Sequence, residues 1–97
     1  TVYLGMGPDG HIASLFPGSK ALSQASGLCA ATVAADGRLR MSLSPETLLS
    51  ARHLVLMFSG TEKRAMYEAA KLPGSITDIP VRLVLQQSRV PITVFIN

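Results

Sequence analysis

The 97-residue sequence predicts an α/β fold, a largely parallel sheet flanked by helices. Three observations lead there. The run "HLVLMF" is almost continuously apolar and of strand length, the pattern of a parallel strand covered on both faces. Helix-start signals stand on either side of it, at Ser44-Pro45 and at "SGTEK". Apolar, β-branched runs open the chain, at "TVYLG", and close it, at "VPITVFI", so strands and helices alternate.

The opening strand runs into "GMGPDGH", residues Gly5 to His11. After it, "IASLF" is short, apolar and stopped by Pro17 and Gly18, which predicts one or two helical turns. Small polar residues from Ser19 to Gly27 predict a surface connection. "CAATVAADGRLRMSLS" then gives two β-like runs around Asp36-Gly37, a dipeptide suited to a hairpin turn. Ser44 can cap free N–H groups and Pro45 fits the first helical position, so a helix is expected over "PETLLSAR". Following "HLVLMF", Ser59 and Glu62 have capping-box spacing at the head of "GTEKRAMYEAAKL", with Ala65, Met66, Ala69 and Ala70 as its apolar stripe. Pro73-Gly74 ends that helix, "ITDIPVRLVLQQ" is mixed in character, and "VPITVFI" supplies the last strand.

Composition narrows the classes. Nine Lys and Arg against six Asp and Glu give a net charge of +3, scattered without a basic block, so a nucleic-acid partner is not expected. No stretch reaches the ~20 apolar residues of a membrane span, and the first residues lack the charged flank and apolar stretch of a signal peptide. Together with a single cysteine, this points to the cytoplasm. Cys29 is expected to pack as a small hydrophobe. A chain this short forms at most one domain, residues 1–97, and its strand-like opening suggests part of a larger domain. Oligomeric state is left open, with a monomer as the simplest case.

Gly5, Gly7 and Gly10 have the spacing G-x-G-x-x-G of a dinucleotide-binding loop. That motif also needs an acidic residue about 20 positions on, to hold the ribose. Here that region reads "GLCAAT", and the first carboxylate, Asp36, falls in the hairpin turn. The glycines are better explained as a sharp turn that lets backbone approach a ligand. Chemistry then centres on Asp9 and His11. A carboxylate facing the imidazole fixes its tautomer, while a following helix N-terminus would disfavour the imidazolium, and the balance suits a general base. Alternatively, Asp9 only caps the helix. Lys63, in the first turn of the helix after "HLVLMF", stands with Ser59 and Thr61 where an anion could bind. Both loops follow parallel strands and so open on one sheet edge, where α/β proteins take ligands. Arg40 is either an edge-strand arginine or a second phosphate contact, and His53 reads as structural. Two histidines and one cysteine, widely spaced, make no metal cluster.

"LGMGPDGHIASLFPGS" closely resembles the signature of the 6-phosphogluconolactonases, whose superfamily also holds glucosamine-6-phosphate deaminases. The resemblance extends through "RMSLSPETLLSARHLVLMFSGTEKR" and "IPVRLVLQQ". It implies a Rossmann-like, doubly wound domain of which this chain is the C-terminal portion. The implied reaction is hydrolysis of 6-phosphoglucono-δ-lactone to 6-phosphogluconate in the pentose phosphate pathway, with no metal and no cofactor. The family histidine falls on His11 as the base that activates water and the aspartate on Asp9; Lys63 matches the lysine near the substrate phosphate, and Arg40 the arginine before the family's "ITL"-like strand. Backbone N–H groups between Gly7 and Gly10 are expected to steady the oxyanion. Deaminases resemble "DGHIAFNEP", with a glutamate where this chain has Phe16, which favours the lactonase reading. Two rivals stand beside it: a sugar-phosphate binding module without turnover, and an isomerase or deaminase acting on glucosamine 6-phosphate.

Overall fold

A computed structural model describes residues 1–24 and 27–97. Its elements in order are β1 (Val2–Gly5), α1 (Ala21–Gln24), β2 (Cys29–Val33), β3 (Leu39–Leu43), α2 (Pro45–Leu48), β4 (Leu54–Phe58), α3 (Thr61–Lys71), α4 (Arg82–Leu85) and β5 (Ile92–Ile96). β1, β4 and β5 form a parallel sheet in the order β1-β4-β5, and β2 and β3 form a separate antiparallel hairpin.

Register sorts the sheet's side chains onto two faces. Leu4 pairs with Leu56 and Leu56 with Val94. Leu4, Leu54, Leu56 and Phe58 join Ile12, Leu15, Leu48, Ala70, Val81 and Val84 in one buried cluster. On the other face the row Gly5, Met57, Phe95 is open: Met57 is 45% and Phe95 58% exposed, as is Tyr3 at 68%. The expected coverage of "HLVLMF" on both faces therefore holds at the buried Val55 and ends at Met57. His53 is structural as expected, joining Thr93 Oγ1 through Nε2 at 2.8 Å and so tying the start of β4 to β5.

Several local expectations are revised. "IASLF" is not helical. Ile12 bridges Met6 and Leu15, and Leu15 N–H donates to Ile12 O at 2.9 Å across a tight turn in which Ala13 has φ +51°. Instead of following a helical period, the turn buries Ile12 and Leu15 completely. The expected surface connection contains the short α1, and Ala25 and Ser26 within it lie outside the described residues. The hairpin forms as predicted, but only Gly37 of the turn pair takes positive φ, +84°. Gly37 N–H donates to Ala34 O and Ala34 N–H to Arg38 O, the three-residue loop with a glycine bulge. Cys29 is exposed rather than packed, because it lies with Ala31, Val33, Leu39, Met41 and Leu43 on the hairpin's outer face.

Ser44 caps α2 by accepting from Thr47 N–H, with Pro45 at the helix start, as expected. The helix stops at Leu48, and the next residues tighten into i→i−3 bonds on the way to β4. The predicted capping box at Ser59 does not form. The chain turns at Gly60, φ +100°, which takes the N-cap position of α3 without a side-chain bond. Glu62 thereby sits one place too early to reach back. Of the expected stripe, Met66, Ala69 and Ala70 are shielded and Ala65 is exposed, while Lys63 and Tyr67 are shielded beside them. The mixed segment becomes a turn followed by α4, whose buried Arg82 donates to the carbonyls of Ser75 at 3.1 Å and Ala69 at 3.3 Å.

Candidate active site

The segment Gly5 to Phe16 leaves the carboxyl end of β1 and folds back on itself. Gly7 N–H donates to His11 O and Gly10 N–H to Gly7 O, both at 2.9 Å. Within this loop His11 Nδ1–H donates to Asp9 Oδ1 at 2.6 Å, and the same oxygen accepts from His11 N–H at 3.1 Å. A carboxylate carries no proton to offer, so the ring proton belongs on Nδ1 and Nε2 is left as an acceptor. The spacing D-x-H makes this possible by a local turn in which an aspartate captures the backbone two residues on. Burial alone would raise the Asp9 carboxyl pKa, but the hydrogen bonds from the His11 ring and backbone, with attraction to the ring, outweigh it and hold the group below its ordinary value.

Gly7 is required by this packing. A Cβ there would overlap the His11 imidazole and come within 2.9 Å of Asp9 Oδ1. The far side of the ring meets Phe16, with centroids 4.8 Å apart and planes tilted by 42°. Because residues 12 to 16 form no helix, neither a helix dipole acting on His11 nor a cap supplied by Asp9 is present.

A cleft of about 630 Å³ joins Gly5, Gly7, Pro8 and His11 to Lys63, with Leu43, Met57 and Ala13 on its walls. Lys63 also borders a neighbouring hollow of about 380 Å³ that runs over Met57, Phe58 and Ser59 to Asn97. The two strand-end loops thus meet on one edge, as the order of elements predicts. Lys63, which lines both hollows, is the third residue of α3, whose first turn has no side-chain cap among the described residues.

Not every expected residue arrives there. Gly10, φ +85°, turns away from the cleft and packs under Ile79 and Met66, while its carbonyl accepts from Val81 N–H at 2.9 Å. It shapes the loop and does not line the cleft. Arg40 is exposed on β3 opposite Thr32 and is not among the cleft residues. The expected oxyanion donors are also largely occupied: Gly7, Gly10 and His11 N–H groups all have partners within the loop, and Pro8 has none to give. Asp9 N–H makes no bond to another backbone group among the described residues, but it lies against its own carboxylate. Leu43 and Met57 were not anticipated as walls. The alternation of their strands puts them on exposed faces, and only the tertiary arrangement turns those faces toward the loop.

Comparison with known proteins places this geometry. The family model described as glucosamine-6-phosphate isomerases/6-phosphogluconolactonase matches residues 1–93. The 6-phosphogluconolactonase of Rhizobium meliloti is 31% identical over 97% of this chain and 43% of its own length. That of Mesorhizobium japonicum is 36% identical over 97% of this chain and 41% of its own. A crystal structure of a 6-phosphogluconolactonase from Shewanella baltica superposes with a TM-score of 0.89 at 36% identity, covering 98% of this chain and 43% of that one. A monomeric glucosamine-6-phosphate deaminase shares the fold, with a TM-score of 0.71 at 21% identity over 98% of this chain and 44% of its own. The chain spans about two-fifths of the length of the curated relatives it matches. With a parallel α/β sheet, the D-x-H loop at its edge and a family match over nearly every residue, the chain belongs to the glucosamine-6-phosphate isomerase/6-phosphogluconolactonase family.

Proposed function

We propose that this chain supplies the water-activating part of a 6-phosphogluconolactonase, which hydrolyses 6-phosphoglucono-δ-lactone to 6-phosphogluconate. The observation that carries the proposal is the 2.6 Å Asp9–His11 pair with its free Nε2 on a cleft shared with Lys63. His11 Nε2 takes a proton from water as the water oxygen attacks the lactone carbonyl. Asp9 holds the ring and stabilises the imidazolium. When the tetrahedral intermediate collapses, the C–O bond to the ring oxygen breaks and the imidazolium returns its proton to that oxygen. Lys63 and the first turn of α3 hold the substrate phosphate, and Gly5 and Gly7 let the sugar ring approach the backbone. The oxyanion donors and the rest of the phosphate contacts fall to the remainder of a full-length domain. Gly10 and Arg40 are left out of the substrate contacts, since neither lines the cleft.

Phe16 favours hydrolysis over deamination. It puts an aromatic ring against His11 where a proton-carrying glutamate would serve the deaminase reaction. The relatives act in sugar-phosphate metabolism by name, and no helix among the described residues is long and apolar enough to cross a membrane. A cytoplasmic enzyme acting as a monomer on a small lactone is the simplest assembly, with no role for nucleic acid. The test is the rate of lactone hydrolysis by the full-length protein above the spontaneous rate. Activity on the lactone and none on glucosamine 6-phosphate is expected, with His11→Ala lowering kcat by about 10²- to 10⁴-fold. Binding of 6-phosphogluconate without turnover would replace the enzyme by a binding module.

A further inference from the structure

The β2–β3 hairpin stands outside the main sheet, and its inward side is not built like a core. Where a core would want branched aliphatic residues, it carries Ala30, Thr32 and Ser42. Ser42 is 5% exposed, and its cross-strand partner is the small Ala30, which leaves its hydroxyl room to reach out of the hairpin. That hydroxyl donates to Leu43 O at 3.0 Å and accepts from Ser14 N–H at 3.1 Å. Ser14 lies three residues after His11, in the turn closed by Leu15 N–H to Ile12 O. Ala13 in that turn has φ +51°, the one non-glycine residue with positive φ among the described residues. L side chains rarely adopt this conformation, so it persists only when its surroundings enforce it. From outside the loop, Ser42 accepts from the amide that follows Ala13. Ala13 and Leu43 then meet on the wall of the cleft beside His11.

We propose that Ser42 is a positioning residue: through the Ser14 amide it locks the left-handed turn at Ala13 and thereby fixes the direction in which His11 presents Nε2. The inference rests on His11 being the base. Its substance is that the hairpin, remote in sequence and not hydrogen-bonded to the main sheet, sets the aim of the imidazole. Removing the hydroxyl lets the turn relax, and small displacements of a general base are expensive in rate while leaving phosphate binding at Lys63 alone.

Ser42→Thr and Ser42→Val in the full-length protein test it, because the two have nearly the same shape and only the first keeps the hydroxyl. The valine variant is expected to lower kcat on the lactone about 10- to 100-fold with KM nearly unchanged, and threonine to stay within about threefold of the parent. In a His11→Ala background the valine substitution is expected to cost less than about twofold, since there is no imidazole left to aim. Equal activity of the valine and threonine variants overturns the proposal, as does the same fold loss with and without His11. Ser42→Ala deletes the hydroxyl without adding volume and is read in the same way if the valine variant does not unfold cooperatively. Should His11→Ala itself leave the rate unchanged, the assignment of the base fails; a slow His11→Ala beside a fast Ser42→Val removes only the positioning role.

Discussion

The two loops that meet at the cleft are built in opposite ways. The loop after β1 is cross-braced. Asp9 holds the His11 ring and amide, Gly7 and His11 close the backbone on each other, Val81 N–H ties Gly10, and Gly18 N–H donates to Thr77 O at 2.8 Å. The turn after β4 is nearly bare: Gly60 starts α3 with no side-chain cap among the described residues. A base must be held to a fraction of an ångström to work, whereas a phosphate site needs positive charge and free donors, which a bound anion itself organises. On the proposed reading, the first loop is pre-built for chemistry and the second is left open for a ligand.

The comparison can be broken most severely at Gly7. Gly7→Ala puts a methyl group where the imidazole lies, so the ring must leave its bond to Asp9. Activity is expected to fall about as far as on losing the base, 10²-fold or more, with a stability loss of about 1–3 kcal/mol from overpacking. Kinetics and thermal unfolding of the same variant check both. A Gly7→Ala protein with parental kcat would mean that His11 does not need its observed place.

At the small end stands Ser59. A capping box would make Ser59→Ala cost about 1 kcal/mol, but the N-cap is Gly60 and Ser59 makes no cap bond. The substitution is expected to change unfolding stability by less than about 0.5 kcal/mol, read from a denaturant midpoint. A full cap-sized loss would show that the turn after β4 is braced after all.

How far these contrasts can be read from the sequence depends on the range of the forces involved. The parallel strands, the hairpin and the Ser44-Pro45 helix start are written in local pattern and survive intact. Asp9 and His11 are likewise legible, because a contact between residues two apart is decided by the turn they share. "IASLF" is misread since its apolar residues answer to partners far away, Met6 and the core, and not to a helical period. The cap of α3 is missed by one residue, and of its expected stripe only Ala65 is exposed. Arg40, which the resemblance offers as a phosphate contact, lies off the cleft, and Ser42, two residues on, makes a long-range contact to the loop instead. No periodicity announces a serine whose partner is an amide 28 residues away.

The division of labour between the two loops is tested most directly by crossing two variants with two substrates. In the full-length protein, His11→Ala and Lys63→Met are assayed on 6-phosphoglucono-δ-lactone and on the same lactone without its phosphate. Loss of His11 is expected to lower kcat by about 10²- to 10⁴-fold on both substrates, since both need the water activated. Loss of Lys63 is expected to raise KM at least about tenfold for the phosphorylated lactone only, the scale of one hydrogen bond to a charged group. An equal effect of Lys63→Met on both lactones, or a His11→Ala enzyme within a few-fold of the parent, would contradict the account.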